Sequence, residues 1–416
     1  MTAVTHDDVF RRGANAPAGG LVLGGAALAV LGLGFFALLA MGDDPARAWR
    51  LFLVNFVFFT GLATGGIIFA ATQKITKGTW AGSIIRFAEA GVAFLPVALV
   101  LFLVLWLGRA HVFPWIEHPT PARGNWLTVS WAFWRDLISL LVVFGVAIAF
   151  VWHELKPDVL ALKDQATGWK RRLYERIAGD YTGTAAQRAA LDRRIHRMAP
   201  LLCLLYAYLF TVLAFDLIMS LAPYWYSTLF GVYYFMGSFL TGLTALGLLM
   251  LFWRQRLGLE HLIGRQQLHD LGKLIFGFTV FWGYLTYSQV VVIWYGNLPE
   301  EAAYVMFRFW SEWRPISILV GLMVFLIPFW GLIWVRSKTT PLTFGLFALI
   351  SVLGMWLERF VLVSPSLEEM PMFGLPEVGI SLGFLGLFLL AYGLFARTFP
   401  MLSPRLVEAM QREHRH

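Results

Sequence analysis

Ten apolar runs, each about 20 residues long, recur along almost the whole chain. One such run is about what an α-helix needs to cross the hydrocarbon core of a bilayer. In lipid every backbone N–H and C=O must be satisfied within the spanning structure, so only helices and closed barrels qualify. A barrel would show short alternating segments instead. The chain is therefore read as an all-α integral membrane protein with about ten transmembrane helices. The spans fall at 21–41, 50–72, 84–107, 127–152, 198–222, 228–253, 271–295, 315–335, 342–362 and 379–398. Only 14% of the residues are charged, against about 25% in a soluble domain. The first run, Leu21 to Met41, follows a polar head with Arg11 and Arg12. It is longer than the apolar core of a signal peptide, about 7–15 residues, so a retained span is expected.

The organisation follows. Residues 1–20 form an N-terminal head, 21–152 carry the first four spans, and 198–398 carry the other six. Between them, 153–197 is a polar connector rich in Lys and Arg, expected to hold one or two surface helices; 399–416 is a tail. Lys and Arg gather on the cytoplasmic side of a membrane protein. With both termini cytoplasmic, 23 of the 33 basic residues fall on that side and six on the other. The net charge of +8 is assigned to this topology, and no basic-aromatic stripe suggests nucleic acid.

Cys203 is the only cysteine, which excludes an internal disulfide, a Cys-x-x-Cys cluster site and haem attachment through Cys-x-x-Cys-His. The nine histidines fall in loops, tails or helix ends, whereas a membrane-embedded b haem needs axial ligands inside the bundle. No metal and no covalent cofactor is expected.

Four basic residues fall in or beside spans, each near an acid: Arg86 with Glu89, Arg135 with Asp136, Lys273 with Asp270, Arg359 with Glu358. Residues three apart share a helix face, so the first and third pairs read equally as charge compensation with snorkelling near an interface. Members of the adjacent pairs point about 100° apart and are expected to find separate partners. Asp216 stands in an apolar run with no basic neighbour within a turn. It must face protein or water, be protonated, or pair with another helix. Either a proton relay or a structural hydrogen bond accounts for it. The seventh span carries Tyr284, Tyr287, Ser288 and Gln289, a cluster that suggests a wet interior. A proton path is thus expected to enter from the cytoplasm at His269, Asp270 and Lys273, continue through Tyr284 and Tyr287, and leave by Asp216, Glu358 and Arg359. Trp80, Trp115, Trp126, Trp294, Trp310 and Trp313 flank spans and read as an aromatic belt.

The stretches FDLIMSLAPYWYSTLFGVY at 215–233 and FWGYLTYSQVVVIWYGNLPEE at 281–301, with RFAEAG and LGRAHVFPW between 86 and 115, resemble the NrfD/PsrC-type membrane anchors. The resemblance covers nearly all ten spans and is nearest the paired anchors of alternative complex III, a bacterial quinol:cytochrome c oxidoreductase. It implies two side-by-side four-helix bundles plus flanking helices, in a bacterial inner (cytoplasmic) membrane. It also implies a paralogous quinol-binding anchor, an iron–sulfur subunit, haem-c subunits and structural lipids as partners. Thr64 and Trp106 stand where the quinol-binding anchor has His, so the chain resembles the second, ActF-type anchor. A Thr hydroxyl is a poor proton acceptor and an indole N–H is a donor only. No catalytic residue is expected, and Thr64, Glu89, Arg109 and Asp136 form at most a weak quinone pocket. The implied function is a non-redox membrane subunit of a quinol:electron-acceptor oxidoreductase that scaffolds the complex and conducts protons. Two other readings stand beside it: the quinol-binding anchor of a polysulfide- or DMSO-reductase-like enzyme, and a secondary transporter. Transporters often break helices at matched positions in two halves. Gly65–Gly66 and Pro328 are the candidate breaks here, and they do not match.

Overall fold

A computed structural model describes residues 13–413 except 15, 43 and 120–122. Most of the N-terminal head lies outside the described residues, as do His6, His414 and His416. Ten helices are long and apolar enough to cross a membrane: α1 (Gly19–Ala40), α2 (Pro45–Ile75), α3 (Ile85–Leu107), α4 (Val129–Leu162), α6 (Ala185–Leu221), α7 (Phe230–Arg256), α8 (Arg265–Gly296), α10 (Arg314–Leu332), α11 (Pro341–Ser366) and α12 (Leu375–Thr398). Among the described residues, three further helices of ten residues or more lie at the ends of the bundle: α5 (Gly168–Ala178), α9 (Pro299–Trp310) and α13 (Pro404–Glu413). The face carrying α5 and α13 is the connector face; α9 lies at the opposite face.

The spanning helices outrun their apolar runs at the connector. α4 continues to Leu162 and α6 begins at Ala185, so His153 and His196, expected in a connector, sit on helices. Hydropathy marks only the part of a helix that lies in lipid. Beyond it the hydrogen-bond ladder continues as long as the residues favour helix, and AAQRAALDRRIHR does. Thr184 caps this helix by accepting from Gln187 N–H at 3.3 Å.

The helices pack as two four-helix groups, α2, α3, α4, α6 and α7, α8, α10, α11, with α1 and α12 paired beside them. α2 is buried along its whole apolar length and joins the two groups by its contact with α7. Helices in lipid gain little from hydrophobic burial against one another, so small residues that let backbones approach become decisive. A Cβ on Gly65 would meet Ser238 O at 2.4 Å, and one on Gly32 in α1 would meet Gly383 Cα in α12 at 2.1 Å. α1 fully buries only Gly25 and Gly32; Leu21, Phe35, Phe36 and Leu39 pack partly against the core, and Leu23, Val30, Leu33 and Leu38 are exposed.

The helix breaks differ from expectation. α2 passes through Gly65–Gly66 unbroken, because both glycines are clamped by neighbouring backbone. α3 tightens to a 3-10 turn at Ala90–Phe94 just before Pro96, and α10 widens to a π turn at Gly321–Leu326 just before Pro328. Proline lacks the N–H that regular winding requires. The broken helices stand second and third in their groups, so they form no matched pair.

Candidate functional site

Among the described residues, three buried polar clusters lie within the bundle. The first closes the connector face. Arg86 in α3 holds Glu89 and, across to α4, Asp158, each at 2.6 Å. Glu154, one turn before Asp158, accepts from Lys74 of α2 at 3.0 Å and from Arg405 of α13 at 2.9 Å. Arg405 also reaches Asp192 at 2.8 Å, and Ser403 donates to Asp158 at 2.9 Å. Glu89, Glu154 and Asp158 are thus buried opposite three cations, the condition under which charges are tolerated away from water. Of this cluster the sequence alone pointed only to the Arg86–Glu89 pair; the i, i+4 spacing of Glu154 and Asp158 on one helix face is the signal that could have pointed to the rest. The contribution of Arg405 from the tail had none.

The second cluster lies toward the opposite face. Asp216 in α6 accepts from Arg135 Nε of α4 at 2.6 Å and from the Trp126 indole N–H at 2.7 Å. The Arg135 guanidinium lies over the Trp126 ring at 3.8 Å. Asp136 is buried beside Asp216, within hydrogen-bond reach of its carboxyl, and neither of its oxygens is met by a cation, amide or hydroxyl donor among the described residues. Arg135 and Asp136 therefore approach Asp216 from adjacent positions of one helix. Trp126, read as part of the belt, is a hydrogen-bond donor to this site. Trp115 and Trp313 are also buried, Trp115 donating to Ser220 at 3.3 Å. Nearby, Arg47 binds Glu377 through two bonds of 2.8 Å and Arg50 pairs with Glu368. Glu368 of the loop between α11 and α12, and Glu377 in the first turn of α12, thus neutralise the basic start of α2.

The third cluster belongs to the second group. Glu358 and Arg359 of α11 pair at 3.1 Å. Arg359 also donates to Tyr234 O at 3.1 Å and Ser238 Oγ at 3.2 Å. Glu358 faces a cavity of about 300 Å³ between α7, α8, α9, α10 and α11. Gly321 and Phe325 of the π turn form part of its wall. Arg308 of α9 lines it too, its guanidinium bonded to the carbonyls of Tyr304, Val361 and Leu362 and to Ser366 Oγ. Burial raises the Tyr304 phenol above its ordinary value, so at neutral pH its hydroxyl is a donor.

The structure brings Tyr287 and Glu358 to the edge of one cavity but does not join the expected proton-path residues into one path. Asp216 belongs to the α4–α6 cluster and Glu358–Arg359 to the second group. Lys273 and Asp270 pair at 2.7 Å at the rim of another cavity, about 610 Å³, which Gln73 and Tyr206 also line. His269 is half-buried one residue before that pair. Tyr284 and Tyr287 point away from the interior, 61% and 68% exposed. The buried stripe of α8 is Leu271, Ile275, Thr279, Trp282 and Leu285, and the two tyrosines lie on its lipid side. The expected quinone pocket is dispersed as well. Thr64 donates to Thr60 O at 2.6 Å in the α2 core, and Glu89 lies in the connector-face cluster. Arg109 donates to Trp106 O at 3.0 Å, and Asp136 stands beside Asp216. Trp106 packs against Phe102, Phe113 and Phe133.

Among the described residues no group of three or more His, Cys, Asp or Glu is placed to hold a metal ion. No curated protein matches the chain. Residues 40–370 match the family model described as polysulphide reductase, NrfD. That segment runs from the turn before α2 to the loop after α11 and takes in both four-helix groups and all three clusters apart from Ser403 and Arg405 of the first; with most of its length so matched, the chain belongs to the NrfD family of multi-pass membrane subunits.

Proposed function

We propose that this protein is the non-redox anchor of a quinol:electron-acceptor oxidoreductase of the alternative complex III type, corresponding to its ActF-type subunit. It would sit in the bacterial inner membrane with the connector face toward the cytoplasm, alongside a paralogous quinol-binding anchor, an iron–sulfur subunit and haem-c subunits. One observation carries this reading over a catalytic one. At the two positions where the resembled quinol-binding anchor offers His, the Thr64 hydroxyl is spent on Thr60 O and Trp106 is packed among three phenylalanines. A quinol ring needs an open pocket and a proton acceptor within hydrogen-bond reach; these residues supply neither. Proton conduction, on this reading, uses the buried acids of the clusters as separate half-paths from the two faces, with water between them.

The test is Asp136→Asn in an assembled complex, because both Asp136 oxygens are buried with no cation, amide or hydroxyl donor among the described residues. Unchanged quinol turnover is expected. Lost turnover with assembly intact would make this chain the catalyst. The family model's description as polysulphide reductase favours one second reading, the quinol-binding anchor of a polysulfide- or DMSO-reductase-like enzyme, and that reading predicts the loss.

A further inference from the structure

The cavity of about 610 Å³ lies where the two helix groups meet, between α2, α6, α7 and α8, and it is polar at one end. It follows α2 from Ile68 to Thr76 and α8 from Asp270 to Phe278, about 12 Å along each at the rise of an α-helix. Its connector-side end carries Gln73 and Thr76 of α2 and Asp270 and Lys273 of α8. Two neighbours fix that end: Lys74 bonds to Glu154, and the Gln267 amide meets Met410 of α13 at 3.7 Å. Deeper, the walls are Ile68, Phe69, Phe235, Phe239, Leu274 and Phe278, with Phe239 and Phe278 edge to face at 4.8 Å. Half of a bilayer's hydrocarbon core is about 15 Å deep, so the groove along α2 and α8 has the depth and the polarity gradient of one leaflet. A spanning helix of another subunit would need a groove across the full thickness of about 30 Å.

The polar end narrows the occupant. Lys273 and Asp270 pair at 2.7 Å, with the Lys273 side chain 56% exposed. An ion pair so exposed adds little to stability, and both of its signs remain open to a ligand. Gln73 is buried, and its Oε1 has no hydrogen-bond partner among the described residues. A buried acceptor left unmade costs about 1–3 kcal/mol. A lipid headgroup with a phosphate and a primary ammonium complements this set. Lys273 donates to the phosphate, and the acceptors Asp270 and Gln73 suit the ammonium N–H groups. Phosphatidylglycerol would bring a second anion to Asp270 and no cation. The quaternary ammonium of phosphatidylcholine has no N–H to donate.

We infer that this groove is a binding site for a phosphatidylethanolamine of the connector-side leaflet, its headgroup on Lys273 and Asp270 and an acyl chain along the phenylalanines between the two helix groups. The inference needs only the membrane topology and not membership of a redox complex. The test uses the full chain, purified in mild detergent with its bound partners and placed in nanodiscs of phosphatidylcholine. The photolabel is a phosphatidylethanolamine carrying a diazirine near the end of one acyl chain. Label is expected on peptides containing Phe235–Phe239 or Leu274–Phe278. Unlabelled phosphatidylethanolamine should compete about fivefold better than phosphatidylglycerol, the worth of about one hydrogen bond. Asp270→Asn should bring that ratio to about one, because the ammonium loses its anion while the phosphate keeps Lys273. Lys273→Gln should weaken competition by phosphatidylethanolamine about fivefold. Both substitutions are at the rim, and an unmoved thermal midpoint checks that each variant is folded. Label confined to other peptides, equal competition by the two lipids in the parent, or a preference unchanged in Asp270→Asn would overturn the site. Groove label that appears only after the partners are stripped away would assign the groove to a partner subunit and overturn it as well.

Discussion

Asp216 illustrates what a single residue's neighbours in sequence do and do not reveal. Its isolation in an apolar run correctly required a partner, but Arg135 is 81 positions away and Trp126 is 90 away. No local pattern joins them, because only the packing of α4 against α6 does. Tyr284 and Tyr287 fail for the opposite reason. Their spacing correctly put them on one face of a helix, but a spacing does not say whether that face meets protein or lipid, and tyrosine tolerates either at an interface. The two outcomes give a paired prediction. Asp216→Asn leaves the half-buried Arg135 without its carboxylate partner, a loss at or below the low end of the about 3–5 kcal/mol that breaking a fully buried pair costs. Earlier thermal unfolding in detergent would register that loss. Tyr284→Phe, on the lipid side, should unfold within about 0.5 kcal/mol of the parent. Equal midpoints for the two variants would mean that the Arg135–Asp216 pair contributes nothing.

Among the elements, the ten spans were legible because the bilayer sets their length, whatever they pack against. The helical extensions beyond lipid, the 3-10 and π turns and the docking of α13 were not, since hydropathy is silent outside the membrane and proline's local effect depends on its neighbours. α1 is held by backbone proximity to α12, which yields a clean contrast. Gly32→Leu forces the two helices apart and should cost about 1–3 kcal/mol as an overpacking change. Gly34→Leu, with nothing within 4 Å of its position, should leave the thermal midpoint unmoved. α13 is secured by Val407 and Met410, both buried, and by Arg405 on Glu154 and Asp192. Arg405→Ala removes the charge that links the tail to α4 and α6. The tail should then be cleaved faster in limited proteolysis from the connector side. A cleavage rate equal to that of the parent would show that the apolar contacts alone hold it.

At the scale of the whole molecule, the polar clusters near the connector face and toward the opposite face are joined through a core where α2 and α7 meet by glycine and serine. Such an arrangement suits a scaffold whose two faces carry different partners. The proposed orientation is open to direct test. In a Cys203→Ala background, cysteines placed at Ala185 and Pro371 should label from opposite sides of the membrane, the first from the cytoplasm. Labelling from one side would contradict the topology. The central claim is membership of a redox assembly, and copurification tests it most directly. A tagged chain, solubilised in mild detergent and analysed by mass spectrometry and redox difference spectra, should bring with it a second membrane anchor, an iron–sulfur protein and haem-c proteins, with the haem signal leaving when those partners are stripped away. A chain that purifies alone, as a secondary transporter would, contradicts the account.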